Sequence, residues 1–134
     1  VWYHSEDRKM KPAIMLRLME KEGRLPDGIV CYNDQIAAML MEELGRLGYK
    51  VPEDVSVTGF DDSLFAQRGD GITTVAHPQE KLGEMAAELL LEKINGVPKE
   101  KSRIPERIQP QLIVRGSCRD RRVLEKRTAM ALKS

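Results

Sequence analysis

Two short apolar runs in this chain each end abruptly in a pair of polar residues. The first run, residues 28–32, leads into an Asn-Asp pair, and the second, residues 55–60, leads into an Asp-Asp pair. In an open α/β sheet, ligands bind beyond the carboxyl ends of the parallel strands, where such side chains converge. The pattern therefore predicts a small-molecule pocket at one edge of a sheet rather than a plain core.

Helical and strand-like segments alternate along the rest of the chain. Apolar spacing predicts helices at about 5–22, 35–47 and 79–95, and strands at 1–4, 28–32, 55–60, 72–76 and 111–115. Pro12 predicts that the first helix either begins there or is kinked. Strands that alternate with helices of this length are typical of an α/β fold, in which flanking helices cover a parallel sheet built from right-handed crossovers.

The composition is that of an ordinary globular domain. A length of 134 residues is enough for one domain with its own core, and a composition of 41% hydrophobic and 32% charged residues is ordinary for such a domain. No apolar run approaches the roughly 20 residues that span a bilayer. We interpret Cys31 and Cys118 as free thiols in a reducing compartment, because two cysteines do not make a disulfide framework.

Charge is distributed unevenly despite the net value of +1. Residues 115–134 carry seven basic and two acidic side chains, so the preceding body is net negative and lacks the basic footprint of a nucleic-acid-binding domain. We predict one domain over residues 1–118 and a basic, loosely ordered tail over residues 119–134. Because the chain does not begin with Met, we expect it to be part of a longer protein, and an upstream signal sequence stays an open alternative.

Asn33 and Asp34 form the first candidate site. Both residue types are good helix N-caps, so a purely structural role at the start of the second helix is one interpretation. The amide of Asn33 can also donate to and accept from a polyol, which a cap does not require. We therefore assign Asp34 to the cap and Asn33 to the ligand.

Asp61 and Asp62 form the second candidate site, and His77 the third. Two adjacent carboxylates after a strand could hold Mg²⁺, as in phosphoacceptor receivers and phosphatases, since hard cations bind oxygen ligands. They could equally accept hydrogen bonds from sugar hydroxyls, with Asp61 inward and Asp62 turned toward the following loop, or simply form a turn. His77 ends a third predicted strand, and both a ligand-binding and a structural role are open for it.

Catalytic motifs are missing from the sequence. It has no Gly-x-Ser-x-Gly elbow, no phosphate-binding loop and no Cys-x-x-Cys pair, and no nucleophile accompanies the acidic residues and His77. We therefore predict that the chain has no catalytic activity, no metal and no cofactor.

Several motifs resemble those of one family of regulators, in the same order. The resemblance to the effector-binding domain of LacI/GalR-type repressors rests on residues 26–35 (PDGIVCYNDQ), 51–62 (VPEDVSVTGFDD), 73–78 (TTVAHP) and 111–117 (QLIVRGS). Within that family, residues 31–37 and the His-Pro pair at 77–78 look most like the arabinose-responsive repressors. Those carry this domain behind a GntR-type winged-helix DNA-binding domain.

The resemblance implies a two-lobed, periplasmic-binding-protein-like domain, of which this chain supplies part of the C-terminal lobe. Sugar-ligand positions of the family fall on Asn33 and Asp61, and His77 stands where relatives often have Gln. Relatives commonly pair subunits through the helix equivalent to 35–47 and the segment just after Asp62. Because the first lobe and the DNA-binding region are absent from this chain, we expect operator DNA to be bound outside it.

The sequence is therefore interpreted as the sugar-sensing domain of a cytoplasmic transcriptional repressor, with L-arabinose or a related sugar as the effector. One alternative is a periplasmic sugar-binding protein for transport or chemotaxis. The other is a Mg²⁺-dependent phosphoacceptor or phosphatase that uses Asp61 and Asp62. The helix at 79–95 would normally pack on the missing lobe, so we expect it either to fold back on its own sheet or to pair with another copy. We favour exchange of this helix between two copies, and we expect the protein to be a homodimer.

Overall fold

The computed structural model describes residues 7–98, 101–102, 104 and 107–120. The predicted strand at 1–4 and most of the predicted tail, from residue 121 onward, lie outside the described residues. In chain order the elements are α1 (Asp7–Lys21), β1 (Gly28–Val30), α2 (Asp34–Arg46), β2 (Ser56–Thr58), β3 (Thr74–Ala76), α3 (Gln79–Ile94) and β4 (Gln111–Ile113). Each strand is shorter than its apolar run, and α1 continues through Pro12 rather than beginning there.

The first two strands form the parallel part of the sheet. β1 pairs with β2 in parallel, with Ile29 opposite Val57. A single parallel bridge between Thr58 and Thr73 connects this pair to the chain just before β3. The carboxyl ends of β1, β2 and β3 therefore lie along the same edge, as the sequence predicts for a pocket-forming sheet.

The last strand runs in the opposite direction, which corrects the expectation of a wholly parallel sheet. β4 pairs with β3 in an antiparallel register, with Gln111 opposite Ala76 and Ile113 opposite Thr74. The chain thus leaves β3 and returns to the sheet at the same end, and α3 is not a crossover helix between parallel strands. Alternation of helices and strands cannot distinguish these two connections, because both place a helix between two strands.

The hydrophobic core lies where α1 and α2 cover β1 and β2. Its buried members are Leu16, Cys31, Ala37, Leu40, Leu44, Val55, Val57, Ala66 and Ile72. Arg17 of α1 also forms an ion pair with Glu43 of α2, whose side chain is 5% exposed. This guanidinium holds the pKa of the Glu43 carboxyl below its usual range. The two helices are therefore joined by an ion pair as well as by apolar contacts.

Other apolar side chains of the described residues are largely exposed. Val30 points away from the two helices and is 88% exposed. Among the described residues of α3, none is buried, although the helix carries Leu82, Leu89, Leu90, Leu91 and Ile94 on its surface. No described helix is long and apolar enough to cross a bilayer.

The two cysteines differ in burial, and this predicts a difference in reactivity. Both are free thiols; Cys31 is buried in the core and Cys118 is half-buried. Burial raises the pKa of Cys31 from its ordinary 9.0 to about 11. Because the thiolate is the nucleophile, iodoacetamide at about pH 8 should label Cys118 well before Cys31 in the folded protein.

Peptide mapping of the labelled protein measures the two rates, with Cys31→Ser and Cys118→Ser as single-thiol controls. A raised pKa means that the folded state holds this proton more tightly than the unfolded chain does. The free energy of unfolding should therefore fall as the pH rises from about 9 toward 11, and this fall should be absent in Cys31→Ser. Equal labelling rates in the folded protein would contradict the burial of Cys31.

Candidate functional site

The N-cap of α2 is Asn33 rather than Asp34, which corrects one prediction for the polar pair after β1. Asn33 is the N-cap of α2: its backbone is extended, with φ −154°, and its Oδ1 accepts a hydrogen bond from the Ile36 amide at 3.0 Å. Asp34, which the sequence analysis assigned to the cap, is instead the first residue of the helix and is fully buried. Either residue type can cap a helix, so the sequence alone could not decide between them.

The buried Asp34 carboxylate connects three parts of the chain. Its Oδ2 accepts from the Ser63 amide at 2.7 Å, and its Oδ1 accepts from the Thr74 hydroxyl at 2.6 Å. The Asp34 amide donates to the Phe60 carbonyl at 3.0 Å. Gly59 lies so close that a Cβ there would collide with this carboxylate. Asp34 therefore fixes the start of α2 against the end of β2 and against β3.

Asp61 and Asp62 form a turn with an unusual backbone. Their φ angles are 98° and 51°, in the left-handed region that only a few per cent of residues other than glycine adopt, Asp more readily than most. The Asp61 amide donates to the Val75 carbonyl at 3.0 Å, and the Asp62 amide donates to the Thr74 hydroxyl at 3.4 Å. The turn is thus held against β3 by its own backbone.

The two carboxylates of this turn have different partners. Asp62 Oδ1 lies 2.6 Å from Arg115 Nη2, and both side chains are largely buried. Asp61 is more open, with 39% of its side chain exposed, and its Oδ1 lies 3.8 Å from Nδ1 of His77. The carboxylates therefore do not form the shared set of oxygen ligands that a Mg²⁺ site requires. Among the described residues, no group of three or more His, Cys, Asp or Glu side chains is placed to hold a metal.

His77 completes the group around Asp61. Its ring stacks on Phe60, with centroids 5.6 Å apart and planes inclined by 26°. Its Nδ1 is buried and has no hydrogen-bond partner among the described residues, while its Nε2 lies 3.4 Å from Nε2 of Gln79. An unpartnered buried nitrogen beside an open carboxylate leaves hydrogen-bonding capacity for a further group.

An open cavity of about 300 Å³ adjoins these side chains and is lined by Tyr32, Phe60 and Asp61. Tyr32 follows β1 and is 78% exposed, so its ring is available to a ligand. The structure thus brings Asp61 and His77 together at this edge of the sheet. The carbonyl oxygen of Asn33, by contrast, is occupied by α2.

Sequence reasoning missed Tyr32, Phe60 and Arg115 as parts of this site. Tyr32 and Phe60 stand at the ends of the two apolar runs, where they were counted as strand residues. Alternation of side chains along a strand could have placed them on the face opposite the core. Arg115 carried no local signal, because its partner Asp62 is 53 positions away in the chain.

The comparisons with known proteins agree with this architecture. Residues 2–118 match the family of periplasmic binding protein-like domains. An arabinose metabolism transcriptional repressor from Geobacillus stearothermophilus is 36% identical over 122 residues, which are 88% of this chain and 33% of the relative. The chain spans about a third of the length of the curated relatives that it matches.

Solved structures give the same result. The transcriptional regulator CelR in complex with cellobiose matches 81% of this chain and 33% of its own, with a TM-score of 0.66 and 29% identity. The lac repressor dimer bound to operator matches 83% of this chain and 38% of its own, with a TM-score of 0.72; at 24% identity it shows the fold alone.

This chain belongs to the periplasmic-binding-protein-like family, and the family resemblance stated from the sequence is confirmed. The relatives from Geobacillus stearothermophilus, Halalkalibacterium halodurans and Vibrio campbellii are transcriptional repressors.

Proposed function

We propose that this chain is the effector-sensing part of a transcriptional repressor, and that its effector is L-arabinose or a closely related sugar. The observation that carries the proposal is the open carboxylate of Asp61 beside His77, at a cavity walled by Tyr32 and Phe60. A carboxylate accepts hydrogen bonds from sugar hydroxyls, while an aromatic ring packs against the apolar face of a sugar. The arabinose repressor from Geobacillus stearothermophilus supports the choice of sugar.

The charges around the cavity support an uncharged effector. The described residues that line it, Tyr32, Phe60 and Asp61, include no cation, and the nearby Arg115 guanidinium is already paired with Asp62. Within the described part of the chain, a phosphate group would therefore face the Asp61 carboxylate without a compensating cation, which is unfavourable in a partly buried site. A neutral polyol meets no such cost.

DNA binding and assembly belong to the same proposal. Operator DNA is bound by a region outside this chain, of the GntR winged-helix type, and the repressor acts in the cytoplasm as a homodimer. A groove of about 350 Å³ between α2 and the segment after Asp62 supports a subunit contact there; it is lined by Gln35, Ala38, Met39, Met41, Glu42, Phe65, Arg68 and Ile72. The unburied apolar face of α3 supports its exchange between copies when this chain is produced alone.

A thermal-shift experiment tests the proposed effector. L-arabinose should raise the melting temperature of the complete protein by several degrees, because a ligand that binds only the folded state stabilises it by about 2.7 kcal/mol at about 100 times its Kd. The experiment compares a panel of pentoses, hexoses, phosphorylated sugars and purines, with Asp61→Ala as the variant whose shift should be clearly smaller at the same sugar concentration. A shift produced only by purines or phosphorylated sugars would contradict the assignment of a neutral sugar.

A further inference from the structure

The turn at Asp61 and Asp62 requires support from the rest of the chain. Two consecutive residues other than glycine have positive φ angles there, 98° and 51°. Such backbone conformations persist only where the surrounding structure holds them, and they concentrate at ligand sites. The contacts that hold this turn therefore determine where the Asp61 carboxylate lies.

Arg115 holds the turn from the side of β4. Its Nη2 lies 2.6 Å from Asp62 Oδ1, and its Nη1 donates to the Ile72 carbonyl at 3.1 Å. The two charged side chains are only 21% and 23% exposed, so water screens the pair weakly. One guanidinium thus contacts both ends of the segment 62–72 and connects them.

The position of Arg115 is itself fixed. Its amide donates to the Thr73 hydroxyl at 3.0 Å, and that hydroxyl donates to the Arg115 carbonyl at 3.1 Å. Gly71, with φ 77°, leaves room for the arginine stem, since a Cβ there would collide with Arg115 Cδ. Asp34 supports the same segment through the Ser63 amide. The turn and the residue after it are therefore held by two charged side chains from distant parts of the chain, Arg115 and Asp34, which we call the clamp.

We propose that Arg115 is a positioning residue for effector binding. It does not touch the ligand; it holds the Asp62 carboxylate and thereby keeps the neighbouring Asp61 in the conformation that accepts a sugar hydroxyl. Arg115 is not among the residues that line the cavity, and both of its described guanidinium contacts are to protein atoms. The sugar part of this inference rests on the proposed function.

The test is the affinity of the complete protein for L-arabinose, measured by calorimetry in two backgrounds. Arg115→Met should weaken binding about tenfold, the size expected when one charge-assisted hydrogen bond is lost. In an Asp61→Ala background the same substitution should cause no further loss, because Arg115 acts only through Asp61. If Arg115→Met weakens binding by the same factor in both backgrounds, Arg115 acts on the sugar independently of Asp61, and the proposal is overturned.

Two further variants separate positioning from simple destabilisation. Arg115→Lys keeps the charge but not the planar fork, so it should fold and bind with an intermediate affinity; wild-type affinity in Arg115→Lys and Arg115→Met alike would overturn the proposal. Arg24→Met removes an exposed ion pair with Glu22, just after α1, and should leave the affinity unchanged.

Hydrogen exchange in the sugar-free protein gives a readout that does not depend on the proposed function. The amides of Asp61 and Asp62 should exchange about tenfold faster in Arg115→Met than in the parent protein, while the amides in the middle of α2 stay unchanged. If no sugar binds the parent protein, the proposed function fails, and exchange still tests the clamp. Unchanged exchange at the turn would overturn the positioning role even in a protein that binds arabinose.

Discussion

Replacing Gly59 with alanine is expected to destabilise the protein by about 3 kcal/mol or more, the upper part of the range for overpacking a core. A Cβ at this position would collide with the Asp34 carboxylate and would lie 3.0 Å from the Asp34 Cα. Relief requires Asp34 to move, and that movement would break its hydrogen bonds with Ser63 and Thr74. Urea unfolding of the variant and the parent protein measures the loss.

Gly45→Ala is the matched control for this substitution. Gly45 lies in α2, the helix that Asp34 begins, and a Cβ there would meet nothing within 4 Å. Because alanine is the better helix former, this variant should be as stable as the parent protein or more stable by up to about 1 kcal/mol. A Gly59→Ala variant that matches Gly45→Ala in stability would contradict the close packing of Asp34 on β2.

Asp61→Ala is expected to weaken sugar binding by roughly tenfold to more than a hundredfold. The expectation follows from the loss of charge-assisted hydrogen bonds, which are worth about 1.5–3 kcal/mol. The Asp61 side chain makes few contacts that hold the fold, since its carboxylate is partly exposed and lies 3.8 Å from Nδ1 of His77. The melting temperature without sugar should fall only modestly, because Ala adopts the positive φ of this position less readily than Asp does. Titration calorimetry with L-arabinose measures the effect on affinity.

Asp54→Ala and Asp62→Ala provide the comparisons for Asp61→Ala. Asp54 precedes β2, at the end of that strand opposite to the cavity, and its carboxylate accepts from the Lys50 amide at 2.7 Å. Its replacement should leave affinity unchanged. Asp62→Ala should weaken binding less than Asp61→Ala, since Asp62 acts only through the turn. Wild-type affinity in Asp61→Ala would remove this residue from the site.

The general plan of the fold could be predicted from the sequence because it depends on local patterns. Each of these patterns is made by residues that are close together in the sequence. Examples are the apolar runs at 28–32 and 55–60 and the apolar stripe of α2. These patterns set which segments form strands and helices. They also place Asp61 and His77 at strand ends on one edge of the sheet, where the structure has them.

The remaining features depend on contacts between distant parts of the chain. The burial of Asp34, which leaves Asn33 as the cap of α2, depends on Ser63 and Thr74; they stabilise a buried carboxylate that would otherwise prefer water. The antiparallel direction of β4 depends on where the chain re-enters the sheet after α3. No local pattern contains either fact.

The candidate site, too, could be predicted only in outline, because part of it depends on contacts between distant residues. The acidic pair after β2 was recognisable in the sequence. The different roles of its two carboxylates were not, because Arg115, which follows β4, forms an ion pair with Asp62. That ion pair leaves Asp61 as the open carboxylate. The chemical groups of such a site can be read from the sequence, whereas the partner of each group depends on the tertiary fold.

A crystal structure of the complete protein with L-arabinose tests the central claim most directly. We predict that the sugar lies in the cavity lined by Tyr32, Phe60 and Asp61, with a hydroxyl within hydrogen-bond distance of the Asp61 carboxylate. Its apolar face should lie against one of the two aromatic rings. A complex in which the sugar binds elsewhere and leaves the Asp61 carboxylate facing solvent would contradict the account.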